Sequence, residues 1–169
     1  MTSKLKEPHL LLASSNIRRL QKNLAPHLSI KSLKAINKEF DNNVRQLISL
    51  GEEHFKFAEK LSLQDWRQKV SRFYYATYNS WRAVMLHYDG SFSTESADHQ
   101  KIGNLPAGFP NQDTYANRLK VLRDDRNIAD YGHTASVSDL IISLDDARQL
   151  TASFISDAKA FLAGNGLKI

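Results

Sequence analysis

The chain has no cysteine among its 169 residues. That excludes a disulfide scaffold, a cysteine-ligated zinc site, an iron–sulfur cluster and a cysteine nucleophile. No apolar run approaches the roughly 20 residues of a membrane span. The stretch His9-Leu-Leu-Leu-Ala13 is too short for the apolar core of a signal peptide, so the expected compartment is the cytoplasm. No strand pattern, repeat or low-complexity tract is present, and neither is a glycine loop for phosphate, a nucleophile elbow or an HExxH pair. His87, Asp98 and His99 flank one long loop but lack the spacing of metal ligands, so no metal site is assigned.

What is there is an ordinary globular composition, 41% apolar and 24% charged, with a length that fits one domain or one domain with an arm. The net charge of +5 is unevenly spread. Residues 1–38 hold eight basic side chains (Lys4, Lys6, Arg18, Arg19, Lys22, Lys31, Lys34, Lys38) against one acid, Glu7, while the remainder holds 15 basic and 17 acidic residues. A basic arm suits an anionic partner, nucleic acid above all, and a solvated tail is the plainer alternative.

The apolar pattern is helical throughout. A short helix over 9–24 ends before Pro26. Phe40, Val44, Leu47, Ile48, Phe55 and Ala58 recur at helical spacing and predict a long helix over 37–60. Ser62-Leu-Gln-Asp65 resembles a capping box opening a second helix, with a stripe of Trp66, Val70, Phe73, Thr77, Trp81, Val84 and Tyr88 and a stop at Asp89-Gly90. Residues 89–112, with Gly90, Gly103, Pro106, Gly108 and Pro110, read as a long loop with one turn of helix near 97–103; loops of that length are often functional. A third helix covers 112–131 and stops at Gly132, a connection follows, and Ser143 caps a last helix running to Gly164. The expected fold is all-α: a four-helix up-and-down bundle over 38–169, preceded by a basic helical extension over 1–37.

The third helix breaks its own pattern. Tyr115, Leu119, Leu122 and Ala129 form its apolar stripe, and Arg126 falls in the middle of that stripe where a leucine is expected. A buried arginine costs several kcal/mol unless paired, and such breaks concentrate at functional sites. Asp130, four residues on, is placed to pair with it; a surface ladder of ion pairs at a helix end is the plainer alternative.

Arg126-Asn127 followed by His133 fits the Arg-polar-x(4–6)-His pattern of HEPN domains, and Arg126-Asn-Ile-Ala-Asp-Tyr131 resembles a variant of it found in small bacterial members. Phe73-Tyr-Tyr-Ala-Thr-Tyr78 with Trp81-Arg-Ala83 is similar to the aromatic stretch of the family's second helix, and Ala147 with Ala158-Lys-Ala-Phe161 fits its last helix. The resemblance covers about 38–163.

The resemblance implies a homodimeric, metal-independent endoribonuclease of a toxin–antitoxin or phage-defence system, with no cofactor and with an antitoxin or nucleotidyltransferase as a further partner. It makes Arg126 and His133 the catalytic pair, with Asn127, Asp130 and Tyr131 in support. RNA is the expected partner, met by Arg123, by Arg18 and Arg19 of the arm, and by Arg72 and Arg82, which either line the same cleft or are solvated. Tyr74, Tyr75 and Tyr78 belong to the core or a dimer interface, or else stack on bases. The alternative function is a non-catalytic HEPN-like module that binds nucleotide, RNA or a protein through the same cleft.

Overall fold

A computed structural model describes residues 16–90 and 96–169, and all regular structure among them is helical. Among the described residues five α-helices follow in order: α1 Ile17–Leu24, α2 Ile30–Lys60, α3 Trp66–Asp89, α4 Gln112–Tyr131 and α5 Leu144–Gly164. Short 3-10 turns lie at Ala25–His27, Ser96–Lys101 and Val137–Asp139. No described helix is long and apolar enough to cross a membrane.

The hub is α3, which packs against α2, α4 and α5. Its apolar and small residues go all the way round, as a helix enclosed on several sides requires. Phe73, Tyr74, Ala76, Ala83, Val84 and Leu86 are fully buried, whereas Tyr88 in the last turn is 45% exposed and leaves the stripe read from the sequence. Where α2 crosses α3 the backbones nearly touch: a Cβ on Gly51 would sit 2.6 Å from Ser80 Oγ and 2.9 Å from the Ala76 carbonyl. Only a residue without a side chain fits that crossing.

Both boundaries of α4 fall where the sequence puts them. Ser143 caps α5 as expected, its Oγ accepting from Asp146 N at 3.0 Å. Two other starts differ. The long helix α2 begins at Ile30, capped by Ser29, rather than at 37. Its first turns are largely solvated, with Lys31, Lys34 and Lys38 exposed, although Leu33 and Ile36 continue the spacing of Phe40 and Ile36 packs on the core. The boundary expected at 37/38 therefore falls inside a continuous helix. Ser62 likewise does not cap α3; its hydroxyl donates to Asp65 Oδ2 at 2.7 Å in the turn before the helix.

The arm is tied to the rest of the protein. Asn16 caps α1 through its Oδ1 and donates from Nδ2 to the Asp89 carbonyl at 2.8 Å. Ile17 is 1% exposed, and the Arg18 guanidinium donates to the His87 carbonyl. The last carbonyls of α3, which no helical turn follows, thus find donors in α1. Gly90 closes α3 at φ 74°, the left-handed conformation that glycine adopts without strain. Residues 1–15 of the arm, including Lys4, Lys6 and the first part of the expected 9–24 helix, lie outside the described residues, and the described part forms α1.

Part of the described segment before α4 packs against the helices. Ile102, Leu105 and Phe109 are buried, and Trp81 Nε1 donates to the Asn104 carbonyl at 2.7 Å. That anchorage carries the Ser96–Lys101 turn against α3 and α4.

Candidate functional site

A pocket of about 600 Å³ opens where α4, α3 and the Ser96–Lys101 turn meet. From α4 come Arg123, Arg126, Asn127 and Tyr131, which the helical repeat places on one face. Tyr74 comes from α3, and His99 and Gln100 come from the turn.

Arg126 is the most constrained of these. Its side chain is only 15% exposed. Nη2 donates to Tyr75 Oη at 2.8 Å and Nη1 donates to Asn127 Oδ1 at 3.2 Å. Nε lies 2.7 Å from Asp130 Oδ2, an ion pair without the alignment of a hydrogen bond. The rings of Tyr74, Tyr75 and Tyr131 surround the guanidinium carbon at 5.4–5.8 Å. Burial alone pushes its pKa down, but Tyr75, Asp130 and Tyr131 outweigh that and the net shift is upward. The cation is therefore permanent, held by one carboxylate and a cage of π-faces.

His99 stands beside it. The imidazole stacks on Tyr78 at 4.2 Å, and its Nδ1 is 2.6 Å from Tyr74 Oη. Burial lowers the pKa of His99 first, and the positive charges of Arg126 and Arg82 lower it further, against a smaller opposing effect of Asp98. Near neutral pH the ring is uncharged. Tyr74 is fully buried, and burial pushes its phenol well above the ordinary range, so it keeps its proton.

His133 is elsewhere. It is exposed, in the turn after α4, and it is not among the residues lining the Arg126 pocket. That turn is fixed by Arg67, whose guanidinium donates to the carbonyls of Ala129, Gly132 and Ala135 at 2.7–2.8 Å while lying 4.7 Å from the Trp66 ring.

The other expected residues divide in the same way. Asn127, Tyr131 and Arg123 line the pocket, and Arg123 also pairs with Asp124 at 2.8 Å. Asp130 pairs with Arg126 as its spacing suggests. Arg82 lies over Tyr78, the ring on which His99 stacks, at 5.5 Å, and is not among the residues lining the pocket. Arg72 is outside the pocket, over Phe57 at 5.1 Å and 3.2 Å from His54 Nδ1. Arg18 is committed to the end of α3, and Arg19 is exposed on α1. Among the described residues no group of three acidic or histidine side chains is placed to hold a metal.

Sequence reasoning missed three participants. Tyr75, expected with Tyr74 and Tyr78 in the core, at an interface or stacked on bases, instead supplies the hydroxyl that holds Arg126. His99 stood out merely as a residue flanking the loop. Asp125, beside Arg126, is 1% exposed and is the most buried charge-bearing side chain of α4. Its oxygens accept from the backbone N–H groups of Ile141 and Ile142 at 2.7 and 3.1 Å, which ties the α4–α5 connection down.

The site thus offers guanidinium groups to an anion, tyrosine faces to a planar base and a neutral imidazole for proton transfer. Comparison with protein-family models, with curated proteins and with solved structures finds no match.

Proposed function

We propose that the protein is a metal-independent endoribonuclease of the HEPN type. In this reading α2–α5 form an up-and-down four-helix bundle that works as a homodimer in a toxin–antitoxin or phage-defence system of the cytoplasm. The observation that carries the reading is the Arg126 guanidinium, set in an aromatic pocket together with Arg123 and an imidazole. Arg126 and Arg123 hold the non-bridging oxygens of a phosphodiester, and a tyrosine face takes an adjacent base. RNA then supplies its own nucleophile, the 2′-hydroxyl. Charge that develops on phosphorus oxygens in the transition state meets a fixed cation, which is where such a cation is worth most.

His133 lies outside the Arg126 pocket of its own chain, and a two-fold dimer gives it a role by lending it to the opposite pocket. Asn127, at the rim, orients the phosphate. Labelled RNA with and without chelator tests the reading. The expected product ends in a 2′,3′-cyclic phosphate, chelator has no effect, and 2′-O-methylation at the cut site stops the reaction. His133→Ala is expected to lower the rate by about 10²–10⁴, the range for a lost proton-transfer group. Cleavage that needs a divalent ion sinks the mechanism.

The exposed position of His133, away from Arg126, favours one rival: a non-catalytic HEPN-like module that binds RNA or nucleotide through the same pocket. RNA bound tightly by the unmutated protein but never cut selects that rival.

A further inference from the structure

We infer that His99 is the residue that takes the proton from the 2′-hydroxyl in the Arg126 pocket, with Tyr74 as its positioning residue. The inference rests on the endoribonuclease reading and adds to it a group outside the Arg126–His133 motif.

Three observations converge on His99. Among the described residues it is the one histidine lining the pocket. Its ring is held from two directions, stacked on Tyr78 at 4.2 Å and hydrogen-bonded at Nδ1 to Tyr74 Oη at 2.6 Å. Tyr74 is itself fully buried and sits under the Arg126 guanidinium at 5.8 Å, so imidazole and cation share one support. In the tautomer that donates Nδ1–H to Tyr74 Oη, Nε2 carries the lone pair and is the nitrogen left for the pocket, and this is the tautomer the proposal requires.

The charged and titratable groups around the ring agree with that role. From α3 come Tyr74, Tyr75, Tyr78 and Arg82, from α4 comes Arg126, and from its own turn comes Asp98. Burial and the two arginines outweigh Asp98, so the imidazole gives up its proton more readily than an ordinary histidine. The step balances without a co-reactant. Nε2 takes the 2′-hydroxyl proton, the 2′-oxygen bonds to phosphorus, and the bond from phosphorus to the 5′-oxygen breaks. The leaving oxygen then receives a proton from His133 of the partner subunit.

The test is the pH profile of single-turnover cleavage of an RNA oligonucleotide by the full chain, with binding of its 2′-deoxy analogue as a separate readout. His99→Gln keeps a polar side chain of similar reach; it is expected to lower the rate about 10²–10⁴-fold and to remove the acidic limb, with the 2′-deoxy analogue bound within about threefold of wild type. Tyr74→Phe keeps the ring and drops the hydroxyl; it is expected to lower kcat with little change in KM. Arg82→Gln removes a positive charge near the imidazole and is expected to move the acidic limb to higher pH. A His99→Gln protein, folded by circular dichroism, that cuts at the wild-type rate with the same acidic limb overturns this inference and leaves the nuclease reading standing. Absence of cleavage by the unmutated protein overturns both.

Discussion

Arg126 donates from Nη2 to the hydroxyl of Tyr75 at 2.8 Å, a bond that crosses from α4 to α3 over 51 residues of sequence. Its own helix supplies Asp130, but the direction in which the guanidinium points is set by the neighbouring helix. Two geometric constraints on a planar, five-donor group leave it little freedom, and a pre-oriented cation is more effective than a mobile one.

The first prediction follows from that fork. Arg126→Ala is expected to lower RNA cleavage by about 10²–10³, the loss typical of one preorganised charge donor. Arg126→Lys is not expected to restore it, because one ammonium cannot meet Tyr75 and Asp130 and also face a phosphate. Tyr75→Phe leaves the charge but frees the guanidinium, so a loss smaller than that of Arg126→Ala is expected. Full activity in the lysine variant, measured by single-turnover cleavage, runs against this account.

Arg67 is predicted to control the turn that carries His133. It closes the end of α4 by donating to three carbonyls. Arg67→Met keeps the stem over Trp66 and removes every donor. A hydrogen bond to a charged group contributes about 1.5–3 kcal/mol, so a stability loss of at least that order is expected in urea unfolding. On the proposed reading RNA cleavage should fall with it, while RNA affinity stays close to wild type because the pocket is unaltered.

Asp125 predicts a pH dependence of stability. Burial raises its pKa, the bonds from Ile141 and Ile142 pull the other way, and the net shift is upward. The folded chain therefore keeps this proton at pH values where the unfolded chain has lost it. The stabilisation it provides is fully present below the unfolded pKa and disappears as pH rises through the folded one. Asp125→Asn removes that titration and adds a constant offset. Wild type should lose stability relative to Asp125→Asn as pH climbs just above the ordinary carboxylate range, and the difference should be flat at higher pH. A difference that is flat throughout, in chemical unfolding at a series of pH values, contradicts this placement of Asp125.

The arm separates into two roles. Ile17→Ala is expected to cost about 2–5 kcal/mol, as for any fully buried isoleucine, because α1 closes the end of α3. Lys31, Lys34 and Lys38 are exposed on the first turns of α2. Replacing all three by Gln should leave the melting temperature nearly unchanged and reduce the slope of log affinity for single-stranded RNA against log salt by about 2, if each neutralises one phosphate. An unchanged slope assigns those lysines to solvent.

Much of the fold was legible because it is local. The bounds of α4, the left-handed stop at Gly90 and the Ser143 cap follow from period, glycine and capping chemistry that act within a few residues. The start of α2 was missed, although Ser29 caps the helix there and Leu33 and Ile36 carry the period of Phe40 back toward it, because the exposed Lys31, Lys34 and Lys38 dilute that stripe. Arg126 was legible for the opposite reason: an arginine inside an apolar stripe is an anomaly that needs a partner, and Asp130 stands at the helical spacing that supplies one.

The sequence by itself determined the helical class, the four amphipathic segments and the presence of one costly cation on the third of them. Only the tertiary structure decided what surrounds that cation. His99 reaches the pocket because Trp81 and the buried Ile102, Leu105 and Phe109 hold the inter-helix segment against α3, and Tyr75 reaches Arg126 because α3 and α4 pack side by side. Arg18 is drawn away from any anion because the carbonyls at the end of α3 need donors. Helical periodicity records contacts three and four residues apart. The destination of a loop side chain or of a long arginine depends on chain closure over tens of residues and on which buried polar groups must be satisfied, and no local pattern carries that information.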